Sequence, residues 1–194
     1  MKKIQDHYFK EARKQGYVAR SAFKLEEMDR KFRLLRRGQH VIDLGCAPGS
    51  WLQYAAKKVL PEGSLTGVDL KQVKIQFPES VRIFQCDIYT LEEKILVSSR
   101  FDLVLSDMAP DTTGIPSVDS QRSYDLNSQA LSFAQRHLKP GGTLVLKAFQ
   151  GEPLNRLKSE IRACFESFKL FKPKSSRSES VEIFVLGFGL LPQS

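Results

Sequence analysis

Four aspartates and one lysine stand at or near the ends of short apolar runs, and this pattern is the first chemical signal in the chain. Run 40–44 holds Asp43, run 64–70 ends at Asp69, run 81–88 ends near Asp87, run 101–108 ends at Asp107, and run 143–149 carries Lys147. Apolar runs of this length, punctuated by Gly and Pro, read as buried strands. In open α/β sheets ligands sit beyond the carboxyl ends of the strands, so the five charged groups are expected to converge on one crevice. Any one strand-end aspartate can be a helix N-cap or turn residue, but the whole series in this order points to a ligand.

The first loop, Asp43-Leu44-Gly45-Cys46-Ala47-Pro48-Gly49, narrows the ligand. A dinucleotide fingerprint needs G-x-G-x-x-G; here the three positions are Gly45, Ala47 and Ser50. No G-x-x-x-x-G-K-[ST] phosphate loop occurs either. The loop suits a pyrophosphate poorly, yet Gly45 and Gly49 allow close backbone approach and Pro48 stiffens the turn. Asp69 can accept from both hydroxyls of a ribose, Asp87 from an adenine amino group, and Asp43 favours a cation. A cationic adenosine without phosphates is S-adenosylmethionine.

Elements must position these groups. Residues 6–36 carry apolar side chains at mixed three- and four-residue spacing, which predicts two helices broken near Gly16. After them strands alternate with helices at 50–60, 91–97, 121–138 and 153–166, with a long loop at 109–120. Runs 168–173 and 181–188 have no helix between them and are expected to pair as an antiparallel hairpin. The expected fold is α/β: a Rossmann-like, mostly parallel seven-stranded sheet closed by that hairpin, with helices on both faces. One domain is expected over 1–194, with a basic helical segment at 1–38 and a donor-binding core at 39–194.

With 41% hydrophobic residues the chain can bury a full core. No apolar run approaches the ~20 residues of a membrane span, and the first residues have no apolar signal core, so a cytoplasmic protein is expected. Cys46, Cys86 and Cys164 and the three histidines are scattered, which indicates neither a disulfide framework nor a metal site. The net charge is +8, with net +7 in residues 1–40 and net +5 in 156–177 around a mildly acidic remainder. Two basic blocks of this size favour a polyanionic partner, because each phosphate contact releases condensed counterions.

The strings 43–51 (D-L-G-C-A-P-G-S-W), 67–70 (G-V-D-L), 86–88 (C-D-I) and 105–110 (L-S-D-M-A-P) resemble the FtsJ/RrmJ family of bacterial ribosomal RNA large-subunit 2′-O-methyltransferases. The likeness runs from Ala19 to Ile183 and departs at Ser50, where the family often has glycine. It implies S-adenosylmethionine as methyl donor, with contacts at Gly49, Trp51, Asp69, Asp87 and Asp107. It also implies a Lys-Asp-Lys-Glu catalytic set, which falls on Lys24, Asp107, Lys147 and Glu182, with Glu179 as a neighbouring rival for the glutamate. The implied target is a ribose, a uridine of the A loop of 23S ribosomal RNA, on the free RNA or the assembled large subunit, with the enzyme acting as a monomer. A relative acting on transfer RNA or an mRNA cap, or an RNA-binding module with a relic donor site, are the alternatives.

The chemistry behind such a set is physical. A ribose hydroxyl must lose its proton as it attacks the methyl carbon, and a lysine with the ordinary pKa of ~10.4 is protonated. Burial and a neighbouring cation, here Lys24, favour the amine form that acts as base, while Asp107 and Glu182, which would orient the two lysines, oppose it as anions. A lysine inside the apolar run 143–149 is costly unless it serves a purpose. For RNA phosphates the expected contacts are Arg20, Arg33, Arg36 and Arg37, together with the 156–177 block, and Tyr17 or Phe23 is a candidate to stack on a base.

Overall fold

The computed structural model describes residues 2–91, 100–177 and 179–192, with side chains from His7 onward. Helices α1 (Lys2–Lys14) and α2 (Ala22–Phe32) precede strand β1 (His40–Leu44). There follow α3 (Ser50–Val59), β2 (Ser64–Asp69), β3 (Val81–Gln85), a 3₁₀ turn (Ile88–Thr90) and β4 (Phe101–Ser106). The chain continues with α4 (Pro116–His137), β5 (Leu138–Phe149), α5 (Pro153–Cys164), β6 (Phe165–Phe171) and β7 (Glu182–Leu190).

The strands form one sheet in the order β3-β2-β1-β4-β5-β7-β6. Strands β1 to β5 pair in parallel, and β7 runs antiparallel between β5 and β6. The expected Rossmann-like, mostly parallel architecture with a closing hairpin is therefore present, and β7 inserts itself against β5 while β6 takes the edge.

Central strands covered on both faces need apolar residues at nearly every position. Alternation then sorts them by face. Val41, Leu65, Leu103, Leu105, Val145, Phe184 and Leu186 pack with α1, α2 and α3. Ile42, Leu44, Val68, Val104, Leu144, Leu146 and Val185 pack with α4 and α5. The same period of two places Asp43, Asp69, Asp107, Lys147 and Glu182 on the α1–α3 side, since each lies two residues from a member of that side or from Gly67.

Several boundaries differ from expectation. Residues 116–120 open α4 instead of closing a loop, because Pro116 suits a first helical turn and Asp119 folds the preceding residues onto it. Strand β3 ends at Gln85, and Asp87 caps the 3₁₀ turn by accepting from Tyr89 N–H at 3.1 Å. Strand β5 starts at Leu138, with a register shift between Phe101 and Leu103 that accommodates Pro140 and the glycines. Strand β6 begins at Phe165, directly after α5. The helix expected over 91–97 lies almost wholly outside the described residues. No helix among the described residues is long and apolar enough to cross a membrane.

Candidate active site

The β1–α3 loop is shaped by two glycines. Gly45 has φ +79°, and a Cβ there would lie 2.7 Å from Met108 Cγ and 2.9 Å from Met108 N. Only glycine allows the loop after β1 to touch the chain leaving β4. Gly49 has φ +108° and opens α3 without a side-chain cap, so the first amides of α3 face outward, as a helix N-terminus does when it serves a ligand. Pro48 sits between them. The loop is tied to β2 by Gly45 N–H and Cys46 N–H, both donating to the Val68 carbonyl.

Asp69 closes the same corner. Its Oδ2 accepts from Ala47 N–H at 2.8 Å and its Oδ1 from Lys71 N–H at 2.8 Å, so it holds the loop and keeps lone pairs for a ligand. Asp87 is already a cap, with its second oxygen not engaged by that bond. Asp43 is 1% exposed, and neither carboxylate oxygen has a hydrogen-bond partner in the protein. Burial, then the charges of Asp107 and Asp69, push its carboxyl well above the usual carboxylate range, and Lys147 opposes them. Burial, then the charges of Asp43 and Asp69, raise the Cys46 thiol, which keeps it protonated and unreactive.

Trp51 differs from its expected role. Its indole is 2% exposed, donates to the Ser21 carbonyl at 2.8 Å and packs on Phe184. The side chain anchors α2 to α3.

Four charged groups meet across α2, β4, β5 and β7. Lys147 Nζ lies 2.9 Å from Asp107 Oδ1 and also donates to the Asp107 carbonyl. Lys24 Nζ donates to Glu182 Oε2 at 2.7 Å. Burial alone would raise the Glu182 carboxyl, but the charge and hydrogen bond of Lys24, aided by Lys147, hold it below the usual range. Both lysines are buried, at 8% and 6% exposure, in keeping with the rule that buried charges are paired. Glu182, not Glu179, meets Lys24. Phe184 is the β7 partner of Lys147, and Lys24 Nζ lies over its ring, 5.9 Å from the centroid.

Beyond Lys24 and Glu182 opens a cleft of about 580 Å³, lined among others by Arg20, Gln150, Arg177 and Glu179. Asp119 also lines it but is engaged: its Oδ1 accepts from Thr113 N–H and hydroxyl, its Oδ2 from Gly114 N–H, and these bonds hold its carboxyl low. Of the expected RNA contacts, Arg20 reaches this cleft. Arg33 caps the far end of α2, and Arg36 and Arg37 lie where β1 and β2 begin, with Arg37 paired to Glu62. Arg36 and Arg37 thus sit at the opposite end of the strands from the site. Arg156, Lys158 and Arg162 of the second basic block stand on α5, on the α4–α5 side, while Arg177 at its end meets the cleft. Tyr17 and Phe23 are core residues, 7% and 6% exposed and stacked edge to face at 6.0 Å, so neither is placed to stack on a base. Of the cleft residues, Arg177 is visible in the sequence only as the end of the 156–177 basic block, and Gln150 carries no signal there.

A family model for FtsJ-like methyltransferases matches residues 17–190. The ribosomal RNA large subunit methyltransferase E of Desulfatibacillum aliphaticivorans is 46% identical over 186 residues, covering 95% of this chain and 90% of that protein. The protein of the same description from Syntrophobacter fumaroxidans is 45% identical over 190 residues, covering 96% of each. A crystal structure described as a ribosomal RNA methyltransferase of Plasmodium falciparum superposes with a TM-score of 0.79 at 28% identity, covering 91% of this chain and all of that one.

Proposed function

Since the chain belongs to the FtsJ-like methyltransferase family, we propose that it methylates the 2′-hydroxyl of a ribose in large-subunit ribosomal RNA, with S-adenosylmethionine as donor. The uridine of the A loop is the target, and the protein acts in the cytoplasm as a monomeric single domain. The observation that carries this reading is the joint presentation of two buried Lys–carboxylate pairs, Lys147–Asp107 and Lys24–Glu182, beside an unsatisfied buried Asp43.

The donor residues fit a cationic adenosine. Asp43 and Asp107 would balance its positive charge, Asp69 would accept from the ribose hydroxyls and Asp87 from the adenine amino group, and Gly45 and Gly49 would let the backbone close on it. The bound donor supplies an electrophilic methyl group on a positively charged sulfur. Lys147 would take the proton from the 2′-hydroxyl as the methyl group passes from the donor's sulfur to the hydroxyl oxygen. Asp107 holds Lys147 Nζ in place through its carboxylate and its main-chain carbonyl. The ammonium of Lys24, fixed by Glu182, sits where it stabilises negative charge developing on the hydroxyl oxygen. Holding oxygen, carbon and sulfur in line supplies several kcal/mol of the remaining barrier reduction.

The test is transfer of labelled methyl groups to isolated large subunits and, separately, to transfer RNA. Label in ribose of the large subunit, abolished in Lys147→Ala while calorimetric donor binding persists, is the expected result. Full transfer by Lys147→Ala, or label in transfer RNA alone, would overturn it.

A further inference from the structure

Lys24 and Glu27 stand one turn apart on α2, and both reach the connection between β6 and β7. Lys24 binds Glu182, where β7 starts. The Glu27 carboxylate accepts from Lys174 N–H at 2.7 Å and from Ser175 N–H at 2.9 Å. Two backbone amides on one carboxylate make a charge-assisted pair of bonds, stronger than neutral ones. Of the other polar bonds of this connection, Gln150 N–H to the Val181 carbonyl at 2.8 Å ties its end to the chain after β5, and the rest are internal: the turns Ser176 N–H to Pro173 and Ser180 N–H to Arg177, and Lys172 Nζ to the Ser180 carbonyl at 2.9 Å. The hydroxyls of Ser175 and Ser176 are buried without partners, so they do not anchor it. Between the two attachments to α2 lie Arg177 and Glu179, which line the cleft that also holds Arg20, Lys24 and Glu182.

Resting on the RNA reading above, we propose that Glu27 is a positioning residue for RNA: it pins the β6–β7 connection to α2, so that Arg177 enters the cleft as a phosphate contact additional to Arg20. A guanidinium offers a planar fork that matches phosphate oxygens, and two of them bordering a recessed 2′-hydroxyl site suit the backbone of one strand. Glu27 touches neither donor nor ribose, and it acts through Arg177 and the alignment of Glu182 with Lys24.

The test variant is Glu27→Gln, which keeps one acceptor oxygen but loses the charge, with Arg177→Gln beside it. In Glu27→Gln, amide hydrogen exchange at Lys174 and Ser175 accelerates at least tenfold, donor affinity stays within twofold of the parent, and KM for large-subunit RNA rises at least tenfold. The slope of log KM against log salt falls by about 0.7, the value of one single-strand phosphate contact. The double variant Glu27→Gln/Arg177→Gln is no worse in KM than Arg177→Gln alone, because both changes remove one contact. Unchanged exchange at Lys174 and Ser175, an unchanged salt slope, or donor affinity falling in step with turnover would each overturn the proposal. A parent protein that methylates no RNA would sink the underlying reading instead, while the exchange measurement still reports on the clamp.

Discussion

Asp43→Asn isolates the electrostatic design of the donor site. Asp43 is fully buried, its oxygens lack partners, and burial plus Asp107 and Asp69 raise its carboxyl despite Lys147. Without donor this residue is a liability. The isosteric amide stays an unpartnered polar group but removes the charge, and relieving that extra desolvation is worth about 1–3 kcal/mol without opening a cavity. For a chain of this size each kcal/mol moves Tm by about 2–4 °C, so the donor-free variant melts about 2–12 °C above the parent at pH 7. A carboxyl whose folded pKa is raised contributes stability that is present below its unfolded value, near 3.8, and lost as pH rises. The gap between variant and parent is therefore small near pH 3.8 and widens above it. Donor binding moves the other way: losing a charge-assisted contact of about 1.5–3 kcal/mol weakens donor affinity about 10- to 100-fold. At 100 times the parental Kd the parent gains about 2.7 kcal/mol from ligand and the variant far less, so saturating donor narrows or reverses the ranking. Thermal melts at several pH values with and without S-adenosylmethionine, and calorimetry, read these effects. A donor-free variant that melts below the parent at pH 7, or a gap that shrinks with rising pH, would refute the reasoning.

Other perturbations follow from the same geometry. Lys147→Ala removes the proposed base, so single-turnover methyl transfer falls by at least a factor of about 100 while calorimetric donor affinity is kept. Glu182→Gln leaves Lys24 unpaired in a largely buried site, at a cost of about 1–3 kcal/mol at pH 7, since partial exposure screens the pair. Because the folded Glu182 carboxyl is held low, that stabilisation is present above pH 4.5 and fades as pH falls through the folded value, so denaturation curves of variant and parent converge in acid. Gly45→Ala drives a methyl group into Met108 backbone at a positive φ, lowering stability by about 1–3 kcal/mol and weakening donor binding; a Tm within 1 °C of the parent would contradict this, since that much lost stability lowers Tm by about 2 °C or more.

The parts of the molecule legible in the sequence were those governed by local rules. Buried strands β1, β2, β4 and β5 were visible because central parallel strands are apolar throughout, and the charged residues at their ends stood out against that background. The start of α4 was hidden because Pro116 and Asp119 have turn composition, and it takes the fold to show them as the first helical turn and its brace. Charge blocks gave the sign of the expected partner but not its position: helix α2 carries Lys24 to the site and Arg33 to the other end, so one basic segment is split across the molecule. Tyr17 and Phe23 looked like stacking candidates because an aromatic between basic residues has no visible core partner until α1, α2 and α3 pack. The Glu27 attachment was out of reach, since it joins residues 147 and 148 positions apart.

The central claim, ribose 2′-O methylation of large-subunit ribosomal RNA, is tested most directly by mapping methylated nucleotides in RNA from cells with and without this gene. The account predicts that one 2′-O-methylated ribose disappears from large-subunit RNA, at a uridine of the A loop, and returns with the intact gene but not with Lys147→Ala. A large-subunit RNA with all its ribose methylations intact, or a loss confined to transfer RNA or to base methylation, would contradict it.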